Sequence, residues 1–103
     1  DPRNFESKSG AGYTPLGPVI DTALSIDDDL PLGLVVDGVD RAVTSAGRLP
    51  MSLRQCLAYV ASWSELGPGD VVMMGAPFSQ APIRAGESIE VRVGDLRLRT
   101  RTV

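Results

Sequence analysis

The clearest local signal in this chain of 103 residues is the run Leu34-Val35-Val36-Asp37-Gly38-Val39-Asp40-Arg41-Ala42-Val43. Asp-Gly is favoured at the centre of two-residue type I′ turns, where both residues take a positive φ. Valine is abundant on both sides of this dipeptide, as expected of strands. The run therefore predicts a β-hairpin.

A second hairpin is predicted around Gly94-Asp95. Apolar and polar residues alternate through residues 88–93 and again through residues 96–101, which is the period of a half-buried strand. The second arm places Arg97, Arg99 and Arg101 on alternate positions. This spacing is typical of the solvent face of a strand and gives little reason to predict a binding patch.

One main helix is predicted over residues 53–65. Ser52 and Gln55 have the spacing of a capping box, and Gly67-Pro68 is a stop signal. Apolar residues recur at helical spacing between them, and Cys56 belongs to that stripe. A packed thiol is therefore favoured there over a reactive one, which needs an exposed, electropositive setting.

The remaining segments complete a mainly-β prediction. Residues 1–17 are expected to form a loop, residues 19–22 and 71–74 short strands, and Ala85-Gly86 a turn. The predicted fold is α+β and mainly β, a mixed β-roll or barrel with one helix, with residues 1–103 forming one domain at most.

Composition excludes several classes of function. The net charge is −3, which gives no electrostatic reason to expect nucleic-acid binding. Histidine is absent, so this chain cannot itself supply a Ser–His triad or a histidine metal ligand. No apolar run approaches the roughly 20 residues of a membrane helix. A single cysteine suits a reducing compartment, and we expect a cytoplasmic protein.

An acidic run, Asp27-Asp28-Asp29, leaves two interpretations open. Carboxylate oxygens suit calcium or magnesium, but consecutive residues rarely converge on one ion, so a solvated turn is favoured.

Two glycine-rich stretches carry the recognisable chemistry. The first, the lysine motif, is Lys8-Ser9-Gly10-Ala11-Gly12-Tyr13-Thr14-Pro15-Leu16-Gly17-Pro18 and holds the chain's single lysine. The second, Leu66-Gly67-Pro68-Gly69-Asp70-Val71-Val72-Met73-Met74-Gly75-Ala76-Pro77, ends in a glycine turn that we call the 75–77 turn. An ammonium group beside exposed backbone N–H groups can hold an anion. By composition alone, a surface lysine is favoured for Lys8 and a simple strand end for the 75–77 turn.

The two stretches together resemble the catalytic domain of the fumarylacetoacetate hydrolase family. Family members usually read Lys-Ser-Phe-Asp-Gly-Phe-Ala-Pro-Leu-Gly-Pro and, later, Pro-Gly-Asp followed by Gly-Thr-Pro. The resemblance covers nearly the whole chain, but only the C-terminal part of the family's domain. It implies an enzyme acting on 2-oxo or β-diketo acids through a metal-stabilised enolate, by decarboxylation, isomerisation, hydration or C–C hydrolysis. Such lyases, isomerases and hydrolases act in aromatic catabolism.

The resemblance also implies roles for individual residues. Lys8 corresponds to the family's active-site lysine, expected to stabilise charge electrostatically. Gly75, Ala76 and Pro77, with Gly12, are expected to bind the substrate. Ala76 stands where the family usually has threonine and Ala11 where it usually has aspartate, so two polar groups are missing.

The family's metal ligands are the main omission. Family members bind Mg²⁺ or Mn²⁺ through a Glu-x-Glu pair and an aspartate upstream of the lysine motif. This chain has no such set, and Asp1 lies closer to Lys8 than the family's aspartate ligand does. We expect the ligands in a preceding N-terminal portion or a companion chain, and a homodimer. The alternative is a catalytically silent binding or scaffold protein that kept the fold.

Overall fold

The computed structural model describes residues 2–27 and 29–103. Helix and strand bounds, in chain order, are α1 Pro2–Lys8, β1 Pro31–Val36, β2 Val39–Ser45, a 3₁₀ turn Ala46–Arg48, α2 Leu53–Trp63, β3 Ser88–Val93 and β4 Leu96–Arg101. The prediction of an α+β, mainly-β fold is confirmed.

The first predicted hairpin is confirmed as β1–β2. Asp37 and Gly38 have φ values of 49° and 77°, the positive values that a type I′ turn requires. This turn is also bonded to the start of β3. The Ser88 N–H donates to Asp37 Oδ1 at 2.8 Å, and the Asp37 N–H donates to the Ser88 carbonyl at 2.8 Å. The hairpin therefore positions β3 as well as itself.

The sheet is open rather than a closed barrel. Its order is β2-β1-β3-β4, and each pair is antiparallel, so the sheet is not mixed. The second predicted hairpin is confirmed as β3–β4. A barrel needs every strand to have two neighbours, and among residues 2–27 and 29–103 no further strand joins β2 to β4.

The main helix is confirmed with a shorter C-terminal end. The Ser52 side chain accepts from the Gln55 N–H at 3.1 Å while the Gln55 side chain accepts from the Ser52 N–H at 3.0 Å, which is the predicted capping box. The helix ends at Trp63, two residues before the predicted end. None of residues 53–63 is fully buried, so the apolar stripe of α2 is only half covered.

The buried core therefore belongs to the sheet and the segments beside it. Its apolar members are Leu30, Val35, Val36, Ala46 and Ile89. Val36 and Ile89 are opposite each other in the β1–β3 pair. The predicted structural role of Cys56 is met only in part, since its side chain is half-buried on α2.

Three predictions about local structure were wrong. Residues 2–8 form a helix rather than a loop, because proline is tolerated at the first helical position. Residues 19–22 form no strand, since the Asp21 carboxylate accepts from the N–H groups of Ala23 and Leu24 at 2.8 and 3.0 Å and closes a local turn.

The third wrong prediction is the strand at residues 71–74. Burial alternates along this run, as it does in a strand, with Val71 63% and Met73 76% exposed. A β-strand requires backbone hydrogen bonds to a partner strand, and the described residues provide no such partner for this run. The alternation in burial is therefore present without the ladder.

Within the described ranges, neither helix is long and apolar enough to cross a bilayer.

Candidate functional site

The lysine motif begins where α1 ends. Lys8 is the last residue of α1 and is exposed. A turn follows, in which the Tyr13 N–H donates to the Gly10 carbonyl at 3.1 Å and Gly12 has a φ of 76°. The motif thus forms a compact turn after a short helix, with both Lys8 and Gly12 accessible.

The 75–77 turn lies against the chain that follows the 3₁₀ turn. A Cβ at Gly75 would lie 3.6 Å from Leu49 Cδ2, so there is room for a side chain. Its φ of 101°, however, is one that residues with a Cβ rarely adopt. Pro77 is buried and anchors the turn, while Ala76 is exposed.

The turn presents backbone N–H groups that no described residue accepts. Among residues 2–27 and 29–103, no protein acceptor receives the N–H of Gly75 or of Ala76. Adjacent N–H groups in a turn with a positive φ form a concave site for an anion. The 75–77 turn therefore has the donors that a carboxylate needs, even though Ala76 supplies no hydroxyl.

Two cavities connect the two motifs to the sheet. One, of about 190 Å³, is lined by Gly75, Pro77 and Ser79 together with Val91 and Val93 of β3. The other, of about 240 Å³, is lined by residues 17–19 and by the same two valines. The end of the lysine motif and the 75–77 turn thus border cavities that share two residues of one strand.

The structure does not bring all the predicted site residues to these cavities. Gly75 and Pro77 line the first cavity, whereas Lys8, Gly12 and Ala76 line neither. The roles of these residues in binding and catalysis stay predictions. Val91 and Val93 were missed as cavity residues because their alternation only indicated a strand.

The charged cluster of the sheet is a structural network. Arg99 Nε donates to Glu90 Oε1 at 2.7 Å and Arg92 Nε donates to Glu90 Oε2 at 2.6 Å. Hydrogen bonds from these two guanidinium groups hold the pKa of Glu90 below its usual value, and the bond from Arg99 has the larger effect. Arg92 Nη1 also lies 3.8 Å from Asp40 Oδ1 on β2. The network thus links β2, β3 and β4.

The β4 arginines follow the predicted alternation. Arg97, Arg99 and Arg101 are all exposed. The solvent-face interpretation of this strand is confirmed.

The two described members of the acidic run, Asp27 and Asp29, take part in local hydrogen bonds. Asp27 accepts from the Ser25 hydroxyl at 2.9 Å and from the Asp29 N–H at 3.1 Å. Asp28 and Asp1 lie outside the described residues. Over the residues that are described, no group of three acidic, cysteine or histidine side chains could hold a metal ion. The donors in the described part of the chain do not fit a magnesium centre by themselves.

Comparison with known proteins places these features in a family. The model of the fumarylacetoacetate (FAA) hydrolase C-terminal domain matches residues 2–103. Maleylpyruvate hydrolase of Aquipseudomonas alcaligenes is 31% identical over 106 residues, which cover 98% of this chain and 37% of that protein. A mitochondrial oxaloacetate tautomerase of Oryza sativa subsp. japonica is 31% identical over 85 residues, covering 82% of this chain and 38% of that protein.

A more distant relative is named for two activities. The 4-hydroxyphenylacetate degradation bifunctional isomerase/decarboxylase of Salmonella dublin is 28% identical over 92 residues, covering 87% of this chain and 21% of that protein. No solved structure matches the chain. The chain spans less than two fifths of the length of the curated relatives described above. Matched by the domain model over residues 2–103, and by relatives across most of its length, the chain belongs to the fumarylacetoacetate hydrolase family.

Proposed function

We propose that the protein is an enzyme that acts on a small 2-oxo or β-diketo acid through an enolate. The observation that carries the proposal is the pair of N–H groups at Gly75 and Ala76, for which the described residues offer no acceptor, in a turn that borders a cavity on β3. Support comes from relatives named as a hydrolase, a tautomerase and an isomerase/decarboxylase. Decarboxylation, isomerisation, hydration and C–C hydrolysis are all open to such a site.

Carboxylate binding is assigned to the 75–77 turn. The two N–H groups hold the substrate carboxylate, and Pro77 keeps the turn fixed because it is buried and its ring restricts φ. The walls formed by Val91 and Val93 exclude water from one side of the substrate. Lower local polarity strengthens each hydrogen bond to the charged group.

Charge stabilisation is assigned to Lys8. When a proton or a carbon substituent leaves the carbon next to the 2-oxo group, negative charge moves onto the carbonyl oxygen. The ammonium group of Lys8 stabilises that oxygen. Gly12, in the turn that follows, is assigned to contact with the substrate.

A divalent metal ion is part of the proposed function, and its ligands are expected outside the described residues. We propose Mg²⁺ or Mn²⁺ as the cofactor, with carboxylate ligands from sequence preceding this chain or from a companion chain. The described residues offer no ligand set for this ion. A homodimer located in the cytoplasm completes the proposal.

A panel of 2-oxo-dioic and 2-hydroxydienoic acids, assayed with Mg²⁺ on the intact protein, tests the function. We expect turnover of at least one member and a fall in kcat of about 10²-fold or more in Lys8→Ala, the scale of losing one electrostatic group. Arg101→Ala, which removes an exposed cation from β4, serves as the control and is expected to leave kcat unchanged. Full turnover by Lys8→Ala would remove the lysine from the mechanism.

A catalytically silent binding protein is the second candidate. It is favoured by the exposed Ala76, which offers no hydroxyl, and by the lack of a metal-binding group in residues 2–27 and 29–103. Titration calorimetry with Mg²⁺ and oxalate, an enolate mimic, separates the two candidates. Binding of both supports the enzyme, and binding of neither ends that proposal.

A further inference from the structure

Phe78, the residue after the 75–77 turn, has a backbone conformation that its packing does not require. Its φ is 56°, in the left-handed region that bulky residues rarely occupy. Its side chain is 78% exposed, so the strain is not the consequence of burying the ring. Strained residues with no role in packing are concentrated at binding and catalytic sites.

Arg48 is the residue that meets this exposed ring. Arg48 ends the 3₁₀ turn, and its Cζ lies 5.8 Å from the centre of the Phe78 ring. A guanidinium group over an aromatic face is attracted by the ring's negative face and loses part of its freedom. The strained backbone of Phe78 thus presents a surface that orients a cation.

The charge of Arg48 is not neutralised by the described part of the chain. Across residues 2–27 and 29–103, the ion pairs seen around Glu90 use Arg92 and Arg99, and Arg48 contacts no carboxylate. Arg48 is also exposed. An oriented guanidinium group with free donors is suited to bind a carboxylate with two parallel hydrogen bonds.

Phe78 belongs to the segment that lines the candidate cavity, and Arg48 belongs to the segment that packs against it. Leu49, next to Arg48, approaches the position of a Gly75 Cβ within 3.6 Å. Phe78 lies between Pro77 and Ser79, and both of these neighbours line the cavity. The cation therefore lies on a segment that packs against the one holding the N–H groups of Gly75 and Ala76, for which the described residues provide no acceptor.

We propose that Arg48, oriented by Phe78, binds the distal carboxylate of a substrate that carries two carboxylates. This assignment rests on the proposed function, since it takes the 75–77 turn as the place where the 2-oxo acid end is held. It makes Arg48 a specificity-determining residue that distinguishes diacids from monoacids.

Two five-carbon probes test the proposal on the intact protein with Mg²⁺ present. Both 2-oxoglutarate and 2-oxopentanoate carry the same 2-oxo acid end, and only the first has a distal carboxylate. Titration calorimetry gives a Kd for each. We expect Arg48→Gln to weaken 2-oxoglutarate binding about tenfold, as expected for one charged hydrogen-bonded contact, and to change 2-oxopentanoate binding less than about twofold.

Two further variants sharpen the result. Arg48→Lys keeps the charge but lacks the planar fork, so it is expected to fall between the parent and Arg48→Gln. Arg41→Gln removes another exposed arginine, on β2, and is expected to change neither Kd. An equal change of both Kd values in Arg48→Gln, or no change in either, overturns the proposal.

Phe78→Asn separates orientation of Arg48 from a purely structural role. Asparagine adopts a positive φ more readily than phenylalanine, so the melting temperature is expected to hold or rise. The affinity for 2-oxoglutarate is expected to fall selectively, because Arg48 loses the ring. A lower melting temperature with both affinities unchanged would show that the ring only supports the fold and would overturn its role.

The binding experiment is separate from the test of the enzyme. The parent protein could bind 2-oxoglutarate more tightly than 2-oxopentanoate and yet turn over no 2-oxo acid. That result refutes the proposed reaction, while the Kd values of the Arg48 variants still decide the role of Arg48 in binding. A parent that binds both probes equally, or neither, overturns the role of Arg48 whatever its turnover.

Discussion

The four-stranded sheet and the segment of residues 64–87 have opposite character. The sheet contains three of the six buried residues of the described chain, namely Val35, Val36 and Ile89, and its backbone is paired in three antiparallel ladders. Residues 64–87 have no helix or strand and leave Val71, Met73 and Phe78 exposed.

The difference indicates where stability and chemistry are found in this molecule. The segment without regular structure holds the unpaired N–H groups and the strained Phe78, while the strand beside it supplies the cavity walls. Binding groups often lie on loops that a rigid scaffold positions, because a regular ladder would use up their donors. The sheet is the scaffold here and the 75–77 turn is the loop.

The largest effect is expected in the core of the sheet. Ile89→Ala removes a side chain that is 8% exposed and is opposite Val36, so we expect a loss of about 2–5 kcal/mol in the free energy of unfolding. Val43→Ala, on an edge strand with 81% exposure, is the matched control and should change it by about 0.5 kcal/mol or less. Urea unfolding of the two variants measures both values.

Equal losses in these two variants would contradict the contrast. They would mean that the exposed edge of β2 is covered in the intact protein as fully as the β1–β3 pair.

The sheet could be predicted because its signals are local. Asp37-Gly38 and Gly94-Asp95 each define a turn, and alternation on both sides defines the arms. The capping box of α2 is likewise contained within four residues. Where a pattern depended on a distant partner, as at residues 71–74, a fully apolar run predicted a strand that the described chain does not pair.

The candidate site could be predicted only in part for the same reason. The glycine pattern identified the 75–77 turn from the sequence. The contact between Arg48 and Phe78 joins residues thirty positions apart and leaves no periodic signal. The positive φ of Phe78 also could not be predicted, since phenylalanine does not favour that conformation.

A smaller effect is expected at the turns, where one glycine of each region forms a matched pair. Gly38→Ala places a Cβ at a φ of 77° and should destabilise the hairpin by about 1–2 kcal/mol. Gly67→Ala meets no atom within 4 Å and has no positive φ, so it should be neutral or stabilise by up to about 1 kcal/mol. Thermal unfolding compares the two variants.

A loss in Gly67→Ala as large as that in Gly38→Ala would show that residues 64–87 are as constrained as the hairpin. The contrast between the two regions would then not extend to their turns.

The smallest effect is expected at the ion pairs of Glu90, because the Arg99 side chain is 78% exposed and solvent screens it. Arg99 and Arg92 lower the pKa of Glu90 in the folded state, so its contribution to stability is complete above the unfolded value of about 4.3. That contribution is lost as the pH falls through the lower folded value. The gap in stability between the parent and Glu90→Gln should therefore stay constant from about pH 7 to pH 5 and close below about pH 4.3.

Urea unfolding across this range measures the gap. Glu65→Gln changes an exposed residue after α2 and is the control, which should show no gap. A gap for Glu90→Gln that persists unchanged at the lowest pH would mean that packing, and not the charge of Glu90, links β3 to β4.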